Sequence, residues 1–142
     1  MERTRILVVE DDGILAFLLS QTLEGMGFEV CGVESSQAGA IAAAKHCKPD
    51  LMIVDEHLGR GSGLSVIETI LQHGPMPHIF VSGDTSRIRT LKPLAIVLEK
   101  PYFETDLEQA IWRAFARPRE AAHLGQILPT IEGLAVVAGR GA

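Results

Sequence analysis

The sequence has few cysteines and few aromatic residues. Its two cysteines, Cys31 and Cys47, show no CxxC spacing and have no histidine at metal-ligand spacing. This pattern is typical of reduced thiols in a cytoplasmic protein and excludes a disulfide-stabilised scaffold. Aromatic residues make up 5% of the chain, whereas hydrophobic residues make up 46%. The 142 residues therefore predict one domain with an aliphatic core.

A basic surface and a long apolar segment are missing too. The formal net charge is -5, and the basic residues form no stripe, which argues against a nucleic-acid-binding surface. No run of 18 apolar residues occurs, so no membrane span is predicted. The first residues lead directly into an apolar strand pattern and lack the apolar region of a signal peptide. We expect a cytoplasmic protein that binds neither nucleic acid nor membrane.

Short apolar runs alternate with helical patterns five times. Apolar runs bounded by turn residues predict strands buried on both faces. The predicted strands are 5–9, 29–33, 51–54, 79–81 and 95–98. Strands that alternate with helices predict an α/β fold, in which a doubly wound, five-stranded parallel sheet carries helices on both faces.

The predicted helices differ in the strength of their signals. Asp12 is a candidate N-cap for a helix over 13–26. The apolar positions of this helix are Leu15, Leu18, Leu19, Leu23 and Met26. Residues 85–94 contain few apolar residues and Pro93, which predicts a short or irregular fourth helix. Thr105 to Glu108 match a capping box at the start of the last helix.

Polar side chains follow four of the predicted strands. Glu10 and Asp11 follow the first, Asp55 the third, Ser82 the fourth and Lys100 the fifth. The carboxyl ends of parallel strands lie at one edge of a sheet, where ligands bind. Clustered carboxylates favour a cation, and oxygen ligands suit Mg²⁺. A carboxylate beside Mg²⁺ can attack phosphorus while a lysine and a hydroxyl stabilise the transferring group.

Each of these residues also has a simpler interpretation when taken alone. The acids of residues 10–12 could cap a helix, Ser82 could belong to an ordinary turn, and Lys100 could be a solvated surface lysine. Their joint position at strand ends, in this order, favours a common site.

These motifs resemble the receiver domain of two-component response regulators over residues 5 to about 117. The matching residues are Ile6 to Asp11, Asp50 to Asp55, Leu58, Gly63, Ser82, Lys100 and Pro101. The resemblance implies a flavodoxin-like, CheY-like fold with strand order 2-1-3-4-5. It implies a cis peptide bond before Pro101. Residues 1–117 would form the receiver domain, and residues 118–142 would be a C-terminal tail without an output domain.

The resemblance also implies the roles of the site residues. Asp55 would accept a phosphoryl group from a histidine kinase or a histidine phosphotransfer protein. Glu10, Asp11, Asp55 and the backbone carbonyl of His57 would bind Mg²⁺, with Asp11 as a direct ligand. Lys100 would contact the phosphoryl group.

The switch residues depart from the usual receiver pattern. Ser82 would be the switch hydroxyl, but Val97 stands where most receivers carry an aromatic residue. Phe80 to Gly83 resemble the Phe-Ala-Thr-Gly signature of a variant class of single-domain receivers, although Asp84 replaces the bulky residue usual in that class. His57 and Asp84 stand at positions that tune the phosphoryl lifetime in related proteins.

The implied function is that of a stand-alone phosphoacceptor. The chain would not be an enzyme, although it would assist its own phosphorylation and dephosphorylation. It would signal to an unknown downstream protein or pass phosphate along a relay. The sequence does not decide whether it forms a homodimer. One alternative is a degenerate receiver that binds partners without phosphate, against which Asp55 and Lys100 argue. The other is a phosphohydrolase of the haloacid-dehalogenase type, which needs an acid where His57 stands.

The segment after Ser82 is the expected path of the signal. Residues 85–94 have few apolar anchors, so we expect them to open at low cost and to become ordered on phosphorylation. The partner surface would then include this segment, the fifth strand and the last helix near Tyr102 and Trp112.

Overall fold

The computed structural model describes residues 2–117. Its elements, in chain order, are β1 (Arg5–Val9), α1 (Gly13–Gly25), β2 (Glu29–Glu34), α2 (Gln37–Cys47), β3 (Leu51–Asp55), β4 (His57–Leu58), β5 (Gly61–Ser62), α3 (Gly63–Leu71), β6 (His78–Ser82), α4 (Ser86–Leu91), β7 (Val97–Glu99) and α5 (Glu104–Ala116). The predicted tail lies outside the described residues, so the boundary at residue 117 stays a prediction.

Five strands form one parallel sheet in the order β2-β1-β3-β6-β7. Strands β4 and β5 form a separate antiparallel hairpin. When the two hairpin strands are left out, the order is 2-1-3-4-5, and the predicted flavodoxin-like fold is confirmed. The hairpin was not predicted, because strands of two residues are too short to show any alternation of apolar and polar residues.

Helices cover both faces of the sheet, as the sequence predicts. Buried residues of α1 and α5 pack with one set of strand side chains, which includes Ile6, Ile53 and Val81. Buried residues of α2, α3 and α4 pack with the opposite set, which includes Leu7, Val54 and Phe80. Every residue of β3 is buried, because this strand lies at the centre of the sheet with helices on both sides. No helix within residues 2–117 is long and apolar enough to span a membrane.

Helix α1 buries only some of the apolar residues that mark it as a helix. Its buried residues are Ala16, Leu19 and Leu23. Leu15 and Leu18, which share the apolar spacing of this helix, are 40% and 53% exposed. Ile14 and Phe17 are exposed as well. The helix therefore carries an outer apolar surface, which we call the α1 outer face (Ile14, Leu15, Phe17 and Leu18).

Aspartate side chains cap the N-termini of α1 and α5. Asp12 is the N-cap of α1, as predicted, and its carboxylate accepts hydrogen bonds from the backbone N–H groups of Ile14 and Leu15. The predicted cap of the last helix at Thr105 is wrong. Helix α5 begins at Glu104, and the carboxylate of Asp106 accepts a 2.8 Å hydrogen bond from the backbone N–H of Phe103.

The fourth helix is short, as predicted, and it is better anchored than its sequence suggests. It has six residues, of which Ile88 alone is buried. Thr85, just before it, is also buried, and its hydroxyl accepts a hydrogen bond from Nε of Arg89. The strand that follows begins at Val97 instead of residue 95, because the backbone N–H of Ala95 donates to the carbonyl of Lys92 in a turn.

Candidate functional site

Asp55 ends the central strand β3, and its side chain reaches the carboxyl edge of the sheet. It is 6% exposed. A cavity of about 490 Å³ opens beside it, with Glu10, Lys100 and residues of α1 and α5 among its lining. The sheet thus brings the ends of β1, β3 and β7 together, as the order of the motifs predicts.

A lysine bridges two carboxylates in this cavity. Nζ of Lys100 donates to Oδ2 of Asp55 at 2.5 Å and to Oε1 of Glu10 at 3.0 Å. Asp11 completes the acidic group, and one carboxylate oxygen from each of the three acids lies within 4.8 Å of the others. Asp11 is exposed, and its Oδ2 accepts a 3.0 Å hydrogen bond from the backbone N–H of Gly59.

Burial and neighbouring charges shift the pKa values of Glu10 and Lys100. Burial raises the pKa of the Glu10 carboxyl above its ordinary value, and the nearby Asp55 adds to the shift, whereas hydrogen bonds from the backbone of Asp12 and from Lys100 oppose it. Burial alone would lower the pKa of Lys100, but its hydrogen bonds with the two carboxylates outweigh burial and raise it. Lys100 therefore stays charged and compensates Asp55 and Glu10 in the absence of another cation.

The acidic group fits Mg²⁺. Three carboxylates offer hard oxygen ligands at close range, and the exposure of Asp11 leaves the site open to water and to phosphate oxygens. His57 contributes its backbone N–H, which donates to Oδ1 of Asp55 at 2.9 Å. The role implied for its carbonyl as a metal ligand stays a prediction.

Ser82 lies at the end of β6, next to Asp55, but its hydroxyl is turned toward its own loop. It is fully buried. Its Oγ donates to the carbonyl of Asp84 at 2.8 Å and accepts from the backbone N–H of Asp84 at 3.1 Å. To reach a phosphoryl oxygen on Asp55, the hydroxyl has to give up the carbonyl of Asp84.

Asp84, Val97 and Pro101, for which the sequence also predicts roles, lie on this loop or on β7 and its end. The carboxylate of Asp84 accepts hydrogen bonds from the hydroxyl and the backbone N–H of Ser86, which lower its pKa. Val97 is half-buried on β7, paired with Phe80 of β6. The peptide bond between Lys100 and Pro101 is cis. The tuning and switch roles of these residues stay predictions.

Sequence reasoning missed Glu56. This glutamate directly follows Asp55 and is 1% exposed. Its Oε2 accepts a 3.2 Å hydrogen bond from Nη1 of Arg87 in α4. Its Oε1 has no hydrogen-bond partner within the described part of the chain. A single charged residue after a strand carries no signal of burial, because most glutamates at such positions are exposed.

Comparison with known proteins agrees with this geometry. A model of the response regulator receiver domain matches residues 6–111. The chain is 32% identical over 127 residues to the phyllosphere-induced regulator PhyR of Methylorubrum extorquens, with 83% of this chain and 48% of PhyR covered. It is 33% identical over 118 residues to the KDP operon transcriptional regulatory protein KdpE of Escherichia coli, with 80% of this chain and 52% of KdpE covered. The chain thus spans about half the length of these relatives.

Solved structures give the same result. The solution structure of the receiver domain of PhyR from Erythrobacter litoralis matches with a TM-score of 0.74 and 26% identity, covering 81% of this chain and 92% of that one. A response regulator receiver protein from Sinorhizobium medicae matches with a TM-score of 0.73 and 28% identity, covering 81% and 96%. The chain belongs to the family of response regulator receiver domains.

Proposed function

We propose that this receiver domain accepts a phosphoryl group on Asp55 from a histidine kinase or a histidine phosphotransfer protein. The observation that carries the proposal is the bridge of Lys100 between Asp55 and Glu10, with Asp11 beside them. Phosphorylation-dependent signalling is general in the family. The proposal assigns that chemistry to these four side chains.

The transfer is a displacement at phosphorus. One carboxylate oxygen of Asp55 forms a bond to the phosphorus atom, and the bond from phosphorus to the donor histidine nitrogen breaks, leaving its electron pair on that nitrogen. When bound, Mg²⁺ neutralises charge on the transferring phosphoryl group. The backbone N–H of His57 holds Oδ1 of Asp55 in place.

Lys100 supplies the positive charge that the protein itself contributes to the transfer, in addition to the charge of Mg²⁺. In the free protein its ammonium group compensates two buried carboxylates. Since its side chain already contacts Asp55, a small movement brings it to an oxygen of the phosphoryl group. The group is then stabilised by a cation that is held in place before the reaction begins.

The signal passes to another protein, either as a change of the surface or as the phosphoryl group itself. In this proposal the chain catalyses no turnover of an external substrate. Asp55 lies at the edge of an open cavity, which supports a role as acceptor because a donor protein can reach its carboxylate through the cavity.

The proposal is tested with acetyl phosphate and Mg²⁺ by intact-protein mass spectrometry. The wild-type chain is expected to gain one phosphoryl group that decays slowly. Asp55→Asn is expected to fold and to stay unlabelled, because a carboxamide is a far poorer nucleophile than a carboxylate. Asp50→Asn is the matched control: Asp50 accepts a hydrogen bond from the backbone of Arg5 at the opposite end of β3, so labelling should persist.

Other results would select other functions. Continuous release of phosphate without an adduct would indicate a phosphohydrolase. A wild-type chain that neither forms an adduct nor releases phosphate would indicate a degenerate receiver. Labelling of Asp55→Asn would show that another residue is the acceptor.

A further inference from the structure

The ion pair between Glu56 and Arg87 joins the phosphoacceptor strand to α4. The carboxylate of Glu56 is buried and has one charged partner, the Arg87 guanidinium, at 3.2 Å. Its second oxygen has no hydrogen-bond partner within residues 2–117. Burial of a carboxylate with incomplete hydrogen bonding is unfavourable, and an apolar side chain of similar size would stabilise the fold more. The position of Glu56 therefore calls for an explanation other than stability.

The two partners differ in their freedom to move. The backbone N–H of Glu56 donates to the carbonyl of Val81, and its carbonyl accepts from Gly63, so Glu56 is fixed between β6 and the start of α3. Arg87 is 59% exposed and belongs to α4, which has one buried side chain, Ile88. Because Glu56 cannot follow a displacement of α4, the ion pair resists that displacement.

A short chain of hydrogen bonds leads from the phosphoacceptor site to Arg87. The hydroxyl of Ser82 donates to the carbonyl of Asp84, and the carboxylate of Asp84 accepts from Ser86, which is the first residue of α4. Arg87 is the next residue. These contacts link the hydroxyl of Ser82 to the start of the helix that carries Arg87.

We propose that the Glu56–Arg87 ion pair is a restraint that holds α4 in its unphosphorylated position and is released when Asp55 is phosphorylated. This inference rests on the proposed function. When the hydroxyl of Ser82 turns to a phosphoryl oxygen, the loop loses its bond to the carbonyl of Asp84, α4 shifts, and the 3.2 Å contact opens. The restraint lowers the population of the active conformation before phosphorylation, and so weakens the binding of any phosphoryl mimic.

Glu56 and Arg87 are thus positioning residues, which act through α4 and touch neither the phosphoryl group nor the metal. Removal of the ion pair is expected to strengthen the binding of a phosphoryl mimic, because less free energy is spent on releasing α4. A variant that is only destabilised would show unchanged or weaker binding, which separates the two interpretations.

The test is calorimetric titration of the full chain with beryllofluoride in the presence of Mg²⁺. Glu56→Gln and Arg87→Gln are each expected to bind about fivefold more tightly than the wild type, at the low end of common coupling strengths. Arg89→Gln is the matched control, since Arg89 lies on the same helix and contacts Thr85 instead of Glu56. The free Glu56→Gln protein is also expected to show faster hydrogen exchange over residues 83–95.

The outcomes distinguish this inference from the proposed function. Equal or weaker binding by both variants, with normal binding by the wild type, would overturn the restraint and leave the phosphoacceptor function intact. A wild-type protein that does not bind beryllofluoride would overturn both. If a single variant fails to fold because it leaves a buried group unpaired, the double variant Glu56→Met and Arg87→Met removes both partners and is judged by the same affinity criterion.

Discussion

Gly63 fixes the backbone around the phosphoacceptor. A Cβ atom at this position would lie 2.2 Å from the carbonyl oxygen of Asp55 and 2.7 Å from Cγ1 of Val54. The residue starts α3, and its N–H donates to the carbonyl of Glu56, so the helix lies directly against the end of β3. A glycine here allows the close approach that gives Asp55 its position.

Gly63→Ala is therefore expected to destabilise the domain by about 1–3 kcal/mol, because the methyl group meets backbone atoms of a central strand that cannot move aside. Urea unfolding measures the loss. Gly25→Ala is the control: it places the same methyl group at the end of α1, where it meets no atom within 4 Å apart from its chain neighbours and the backbone of its own helix. The explanation would be wrong if both variants had the same stability.

Some residues of the site could be predicted from the sequence, and others could not. Asp55, Lys100, Glu10 and Asp11 were recognised because their spacing along the chain matches a known pattern, and the sheet brings them together. Glu56 gave no such signal. Its burial depends on the packing of α3 and α4 around it, which no short stretch of sequence records.

At the scale of single elements, the α1 outer face stands out. Ile14 and Phe17 are 73% and 61% exposed, and Phe103, in the loop before α5, is 78% exposed. Contiguous exposed apolar surface is typical of sites that contact another molecule. Since α1 and the start of α5 both line the cavity that leads to Asp55, this surface is suited to a phosphodonor protein.

Ile14→Ser and Phe17→Ser are each expected to slow phosphoryl transfer from a phosphohistidine donor protein by about tenfold, in the range of typical interface truncations. Labelling by acetyl phosphate should not change, because that small molecule needs no docking surface. Val33→Ser, on the distant edge strand β2, is the control, as Val33 is 47% exposed. Equal losses with both donors would place the effect in the site itself, and no loss with either would place docking elsewhere.

The elements also show where the sequence prediction succeeded. The strands of the main sheet were found because each is a short apolar run that ends in polar or turn residues. The buried face of α1 could not be predicted, since more apolar residues repeat along this helix than the core covers, and spacing alone does not say which remain outside. The start of α5 was misplaced because the side chain of Asp106 caps the helix from within its first turn.

At the scale of the whole molecule, residues 2–117 contain both cores. The core on one face of the sheet includes Leu107, Ala110, Ile111 and Ala114 of α5. The core on the other face is completed by α2, α3 and α4. A chain that ends at Arg117 therefore keeps α5, the last described element that contributes to either core.

We expect this shortened chain to fold cooperatively and to accept phosphate from acetyl phosphate at the rate of the full chain. A chain that ends at residue 103 is the control and should not fold, because it lacks the buried face of α5. Thermal melting and mass spectrometry test both. If the chain ending at Arg117 fails to fold, residues beyond it belong to the core, and the predicted boundary is wrong.

The acidic group also affects the stability of the whole molecule. Three carboxylates lie together while Lys100 contacts two of them, so negative charge in excess of the lysine remains near Asp11. A cation that binds only the folded state raises the free energy of unfolding by mass action, by about 2.7 kcal/mol at a hundredfold excess over its Kd. Mg²⁺ is thus expected to raise the Tm before any phosphate arrives.

Removal of Mg²⁺ with a chelator should reverse that rise. Asp11→Asn should abolish most of it while leaving the metal-free Tm equal to or higher than that of the wild type, because it removes a charge from the acidic group. Glu108→Gln, an exposed residue of α5 outside this group, should respond to Mg²⁺ as the wild type does. If Mg²⁺ shifts the Tm of Asp11→Asn and of the wild type equally, the metal does not bind at Asp11. In that case the stabilisation comes from general screening of the net negative charge, which would act on all three proteins alike.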